Sequence, residues 1–129
     1  NVIRVWSGCG DLVATLEGHT SAVCALACSA SGDIVSGSWD GSVKGWRGNA
    51  CVHTFQQGTW VFSVAVSALD DTIVSGSSDA RVKVWSISTG GRMATLEGHT
   101  SYIGAVCVVS NGDVVTASSD KTVRVWREA

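Results

Sequence analysis

The sequence predicts an all-β protein made of stacked four-stranded antiparallel sheets. Three observations point there. First, one set of residues recurs on a fixed grid: His19, Asp40 and Trp46, then Gly58, Asp79 and Trp85, then His99, Asp120 and Trp126, with 21 residues from first to second and 6 from second to third. Second, counted from Trp6, the Trp closing each unit lies 40, 39 and 41 residues after the last. Third, strand signals return about every ten residues between Gly, Ser, Asn and Asp, and no amphipathic helical pattern appears.

The elements follow in order. Strands are expected at 2–6, 12–16, 22–28, 34–38 and 43–47, with turns at 7–11, 29–33 and 39–41. The second unit repeats them at 51–55, 61–67, 72–76 and 81–85, and the third at 92–96, 103–109, 114–117 and 122–126. Asn111-Gly112 and Trp39-Asp40-Gly41 are good hairpin turns, because Gly takes positive φ at little cost. In the last strand of a unit Val82 and Val84 alternate with Lys83 and Trp85, and Val123 and Val125 with Arg124 and Trp126. Large side chains on both faces require a sheet stacked between two others. Gly45 stands where Val is expected and should weaken its strand locally.

Composition bounds the function classes. The 129 residues are 45% hydrophobic and 16% charged, enough for one packed domain over 1–129. Net charge is −2 and the nine Lys and Arg are scattered, so no basic run tracks a phosphate backbone, and nucleic acid is not an expected partner. No apolar stretch approaches the roughly 20 residues of a membrane helix, and no membrane partner is expected. Five Cys, at 9, 24, 28, 51 and 107, form no CxxC pair. They read as buried free thiols rather than metal ligands, in a reducing compartment, the cytoplasm or the nucleus. No cofactor is implied.

A period near 40, with Gly-His near its start and Asp…Trp at its end, resembles the WD-repeat β-propeller family over essentially the whole chain. Repeats are placed at about 7–46, 47–85 and 86–126, with 1–6 the last strand of a preceding repeat. The resemblance implies a hydrogen-bonded network in each blade: His19, Ser36, Asp40 and Trp46, then His99, Thr116, Asp120 and Trp126. Indole N–H would donate to hydroxyl, hydroxyl to imidazole, and imidazole to carboxylate, leaving no buried orphan. In the middle unit Gly58 is read as replacing His, leaving Ser75, Asp79 and Trp85, with Asp79 seeking the Thr59 amide or water, in the least rigid blade. The same residue types could make a hydrolase with Ser36 as nucleophile, His19 as base and Asp40 as orienter. Recurrence of the set in two units, and a Trp where substrate would enter, favour the structural reading.

By the resemblance, partners dock on the narrower face, at Ala22 and Cys24, Val61 and Ser63, Tyr102 and Gly104, with Trp39, Ser78 and Ser119 before the Asp of each turn. Trp39 and Tyr102 stand out as aromatic anchors. Trp60 is aligned with Ser21 and Ser101 and read as filling the space of the missing His rather than as an anchor. The expected function is a non-catalytic scaffold for peptides or protein domains. The stretches 32–40 and 111–115 are also similar to the ubiquitin-binding, phospholipase-activating subgroup, which implies a ubiquitin adaptor. Thirteen strands make half a blade, two full blades and three-quarters of a fourth, a set to be completed by further blades or by self-association.

Overall fold

The computed structural model describes residues 1–67 and 72–127. Among these lie thirteen strands: β1 (Ile3–Trp6), β2 (Leu12–Leu16), β3 (Val23–Cys28), β4 (Ile34–Ser38), β5 (Ser42–Arg47), β6 (Ala50–Gln56), β7 (Val61–Val66), β8 (Thr72–Ser77), β9 (Val82–Ser86), β10 (Arg92–Leu96), β11 (Ile103–Val108), β12 (Val114–Ser118) and β13 (Val123–Trp126). They form four antiparallel meanders: β1-β2, β3-β4-β5-β6, β7-β8-β9-β10 and β11-β12-β13. The expected two, four, four and three strands are all present. We call the four-stranded sheets blades one and two, and the last sheet blade three.

The core lies between blades. Val35, Val43, Phe55, Val61, Val64, Ile73, Trp85 and Ile87 join blade one to blade two. Val74, Val82 and Ile103 join blade two to blade three, and Ile3, Leu16 and Trp46 join β1-β2 to blade one. Phe55, on the outer strand β6, packs on Trp85 of the next blade, ring centres 5.0 Å apart. Blade two, with a neighbour on each side, buries every residue of β8. The expected looseness of this blade therefore finds no support in its packing.

Two glycines permit this close stacking. A Cβ on Gly37 would stand 2.6 Å from Val61 Cγ1. A Cβ on Gly76 would stand 2.7 Å from Ile103 Cβ and collide with its Cγ2. Gly45, by contrast, sits in a full-length β5, opposite Val35 and His53, and the pairing with β6 slips one residue just after it. The local weakening expected there takes the form of this bulge.

The cysteines are not buried: all five are exposed. Cys24, at the irregularity between Val23 and Ala25, reaches the Val61 carbonyl of blade two, but Cys28 lies on the face of β3 turned away from blade two. Only the two strands β1 and β2 stand on that side, and they are paired to each other rather than to β3. Cys107 is exposed in the same way on β11, at the other end of the stack. Hydrophobicity alone did not reveal which blade faces lack a neighbour.

Candidate functional site

The loops entering β3, β7 and β11 and the turns after β4, β8 and β12 lie at one end of the blades. In blade one Trp46 Nε1–H donates to Ser36 Oγ at 2.9 Å, and the Ser36 hydroxyl donates to His19 Nε2 at 2.6 Å. His19 Nδ1–H then donates to Asp40 Oδ2 at 2.8 Å. Blade three repeats the chain with Trp126, Thr116, His99 and Asp120 at 2.9, 2.7 and 2.8 Å. Each carboxylate also accepts from the residue after the His, Thr20 or Thr100, and from the amide and hydroxyl two places on, Ser42 or Thr122. Burial pushes the Asp40 carboxyl up, but the Ser42 hydroxyl, His19 and two backbone amides outweigh it and hold it well below the usual range. The Thr122 hydroxyl does the most for Asp120, against burial and with help from His99 and backbone amides, and lowers it likewise.

Blade two solves the same problem with other residues. The Trp85 indole donates to Ser75 at 2.9 Å, and Ser75 donates to Gln57 Oε1 at 2.6 Å. Gln57, not Gly58, holds the histidine's place. The one-residue slip came from counting 21 back from Asp79. Cys28 pairs with Ile34, six residues on, whereas Val66 pairs with Ile73, seven on, so the connection after β7 carries the extra residue. Asp79 is not met by the Thr59 amide. It accepts from the Ser77 hydroxyl and the Arg81 amide, and the Arg81 guanidinium stands 3.8 Å away. Where His is lost, the Ser or Thr two places after Asp has become Arg. Lys83, buried, donates to the Gln57 carbonyl at 2.8 Å. The spacing Gln57–Ser75–Trp85 and the Arg81 charge were both in the sequence and were missed.

The corrected frame changes the candidate surface. Trp39 N donates to Ala22 O, Ser78 N to Trp60 O and Ser119 N to Tyr102 O, which makes Ala22, Trp60 and Tyr102 equivalent. Cys24, Phe62 and Gly104 are then the next outward set. Val61 and Ser63, chosen one residue too late, are buried between blades. Ala22, Cys24, Gly104 and Ser119 are exposed, and Ser78 is half-buried. Trp60 does not fill the histidine's space, which Gln57 occupies. It is 51% exposed and stacks on Trp39, ring centres 4.9 Å apart and 12° from parallel. Trp60 also meets Phe62 edge-on at 6.3 Å, and Phe62 meets Tyr102 edge-on at 5.3 Å. Trp39, Trp60, Phe62 and Tyr102 thus form one aromatic strip across three blades. Phe62 was legible as Trp60's neighbour two places along a strand, and was overlooked.

The opposite end of the blades carries ion pairs that the sequence reading also passed over. Arg47 pairs with Asp33 at 2.9 Å and Arg127 with Asp113 at 2.7 Å, each 14 residues apart. Each arginine holds its carboxylate below the usual range.

A family model described as "WD domain, G-beta repeat" matches residues 10–47, 49–86 and 90–127. The chain belongs to this family. Among relatives it is 30% identical to Autophagy-related protein 16 of Arabidopsis thaliana over 98% of this chain and 26% of that protein. It is 36% identical to Cell division control protein 4 of Candida albicans over 78% of this chain and 15% of that protein. Among solved structures, the WD40 β-propeller domain of Doa1 superposes with a TM-score of 0.86 at 31% identity, covering 98% of this chain and 44% of that one. U3-55K superposes with a TM-score of 0.93 at 29% identity, covering 98% and 42%. The chain therefore spans about a quarter or less of these two relatives and under half of each solved chain.

Proposed function

We propose that this WD-repeat chain is a non-catalytic scaffold whose turn-bearing end docks a peptide or protein domain. The observation that carries this reading is the aromatic strip. Large rings held at the ends of strands contribute apolar contact at low entropic cost, and such rings dominate binding hot spots. Trp39, Trp60 and Tyr102 are each at least 42% exposed, yet each is fixed by a ring or backbone contact.

Burial supports the absence of catalysis. Ser36 Oγ is fully buried, with Trp46 donating to it and its own proton directed to His19, so a substrate carbonyl finds no approach. Scattered basic residues and a net charge of −2 support a protein rather than a nucleic-acid partner. Five exposed free thiols persist in a reducing compartment, which supports a cytoplasmic or nuclear setting. The open sides of β3 and β11 support completion by further blades or by copies of the chain.

Selection of peptides from a random displayed library tests the reading. Selected peptides bind the chain and lose binding to a variant carrying W39A, W60A and Y102A. Peptides that bind this variant undiminished would overturn it. A narrower ubiquitin-adaptor reading rests on the stretches at 32–40 and 111–115. Titration with ubiquitin, followed by Trp fluorescence, decides it: no change up to about millimolar ubiquitin sinks that version, since it leaves a binding free energy weaker than about 4 kcal/mol.

A further inference from the structure

We infer that the cleft between blades two and three binds a small, uncharged aromatic molecule. The cleft lies towards the end of the blades opposite the strip, so this site is independent of the docking reading.

The first argument compares the two clefts of the chain. Between blades one and two, His53 and Phe55 of β6 stack with ring centres 5.7 Å apart, and Phe55 lies 5.0 Å from Trp85. The pairing register gives their equivalents in blade two. Phe55 faces Val43 and His53 faces Gly45, whereas Leu96 faces Val82 and Ala94 faces Val84. Gly37 pairs with Val43 as Gly76 pairs with Val82, which fixes the correspondence. On blade two's side, therefore, Leu and Ala replace two rings, and Val84 in place of Gly45 takes back part of the space. A volume of about 260 Å³ is left, with Ala94 and Leu96 on one side and Val108, Val114 and Trp126 on the other. Trp126 meets the His99 ring of its own blade but no ring of blade two among the described residues. It is half-buried, whereas its equivalent Trp85 is buried. An apolar cavity of about 150 Å³ already holds benzene, so this one has room for one ring or two fused rings.

The second argument is the chemistry of the walls. Arg127 is the charged residue along the described lining, and its guanidinium is held by Asp113 through hydrogen bonds of 3.2, 3.1 and 2.7 Å. A charged ligand would lose its hydration here without gaining a free partner. Met93 also lines the cleft and is 63% exposed, which puts a thioether at the mouth. Such a side chain adapts its shape and makes favourable contacts with ring edges. Trp126 adds a ring for offset or edge-on contact, which an aliphatic molecule of the same size does not exploit.

The test is titration of the full chain with phenol and with cyclohexanol, which share a hydroxyl and differ in the ring, followed by NMR of methyl and aromatic signals. Phenol should shift the Val84, Leu96 and Val114 methyls and the Trp126 indole to saturation, with a dissociation constant of about a millimolar or tighter. Cyclohexanol should bind at least about fivefold more weakly. L96F places a ring where blade one has Phe55, and A94M adds an unbranched chain two places along the strand. Each should abolish the phenol shifts while leaving the unfolding midpoint within a few degrees of the parent or above it. Equal binding of cyclohexanol would overturn the ring preference. Undiminished phenol binding by folded L96F or A94M, shifts confined to Trp39, Trp60 and Tyr102, or no saturation up to about 10 mM phenol would overturn the site itself.

Discussion

Trp39 stacks on Trp60 at 4.9 Å although the two belong to different blades, one on the turn after β4 and the other at the entrance to β7. The pair is a surface bridge between blades as well as part of the strip. Stacked aromatic pairs contribute about 0.5–1.5 kcal/mol beyond their buried area. A double-mutant cycle on W39A and W60A in urea should return a coupling in that range. Additive single effects would mean that the rings merely lie near each other.

The buried hydroxyl of Ser36 serves two partners, and its loss strands both Trp46 Nε1 and His19 Nε2. S36A should cost about 2–4 kcal/mol, the sum of two unmade buried hydrogen bonds. S36T should cost less, because Thr116 fills the same role in blade three. Urea midpoints with an unchanged slope measure both.

Blade two makes a paired prediction. Gln57 leaves its own Nε2 without a partner among the described residues, and Arg81 neutralises the Asp79 carboxylate that a histidine would otherwise bond. Q57H alone and R81T alone should each fail to gain stability. Together they restore the arrangement of the other blades, and their joint effect should exceed the sum by about 1 kcal/mol.

Acid should act through the carboxylates. Asp40 and Asp120 are held below their ordinary values, as are Asp33 and Asp113. A depressed folded-state pKa stabilises above the unfolded value of 3.8 and loses that contribution as pH falls below it. The unfolding midpoint should be nearly level above about pH 5 and drop steeply below about pH 4. D40N with D120N should flatten that drop while lowering the plateau. An unflattened acid limb would place the dependence elsewhere.

Blade spacing is set at Gly76. G76A forces a methyl against the β-branched Ile103, which is stiff and backbone-proximal, and should cost at least about 2 kcal/mol. G104A meets nothing within 4 Å and should be nearly neutral. Comparable losses at the two sites would contradict the stacking account.

Most of the fold was legible because the grid of His, Asp and Trp is itself a set of hydrogen bonds. The residues that must meet across a blade keep fixed distances along the chain, and strand ends came out within one or two residues. The middle blade was misread by one place because its extra residue lies in the connection after β7, outside the stretch that the Asp79–Trp85 spacing constrains. That slip put Val61 and Ser63 on the surface and Trp60 in the histidine's place. The cysteines were misjudged for another reason: alternation tells which residues share a face, but not whether a neighbouring sheet covers it. Phe62 joins the strip only through contacts with Trp60 and Tyr102, and the Tyr102 contact is nonlocal in sequence.

Indole proton resonances test the central claim most directly. Trp46, Trp85 and Trp126 donate to buried hydroxyls, whereas Trp39 and Trp60 lie on the strip. On titrating the labelled chain with any library-selected peptide, the Trp39 and Trp60 indole signals should shift and the three network indoles should stay in place. Shifts confined to Trp6, or to the network indoles with Trp39 and Trp60 unmoved, would place binding elsewhere and contradict the account.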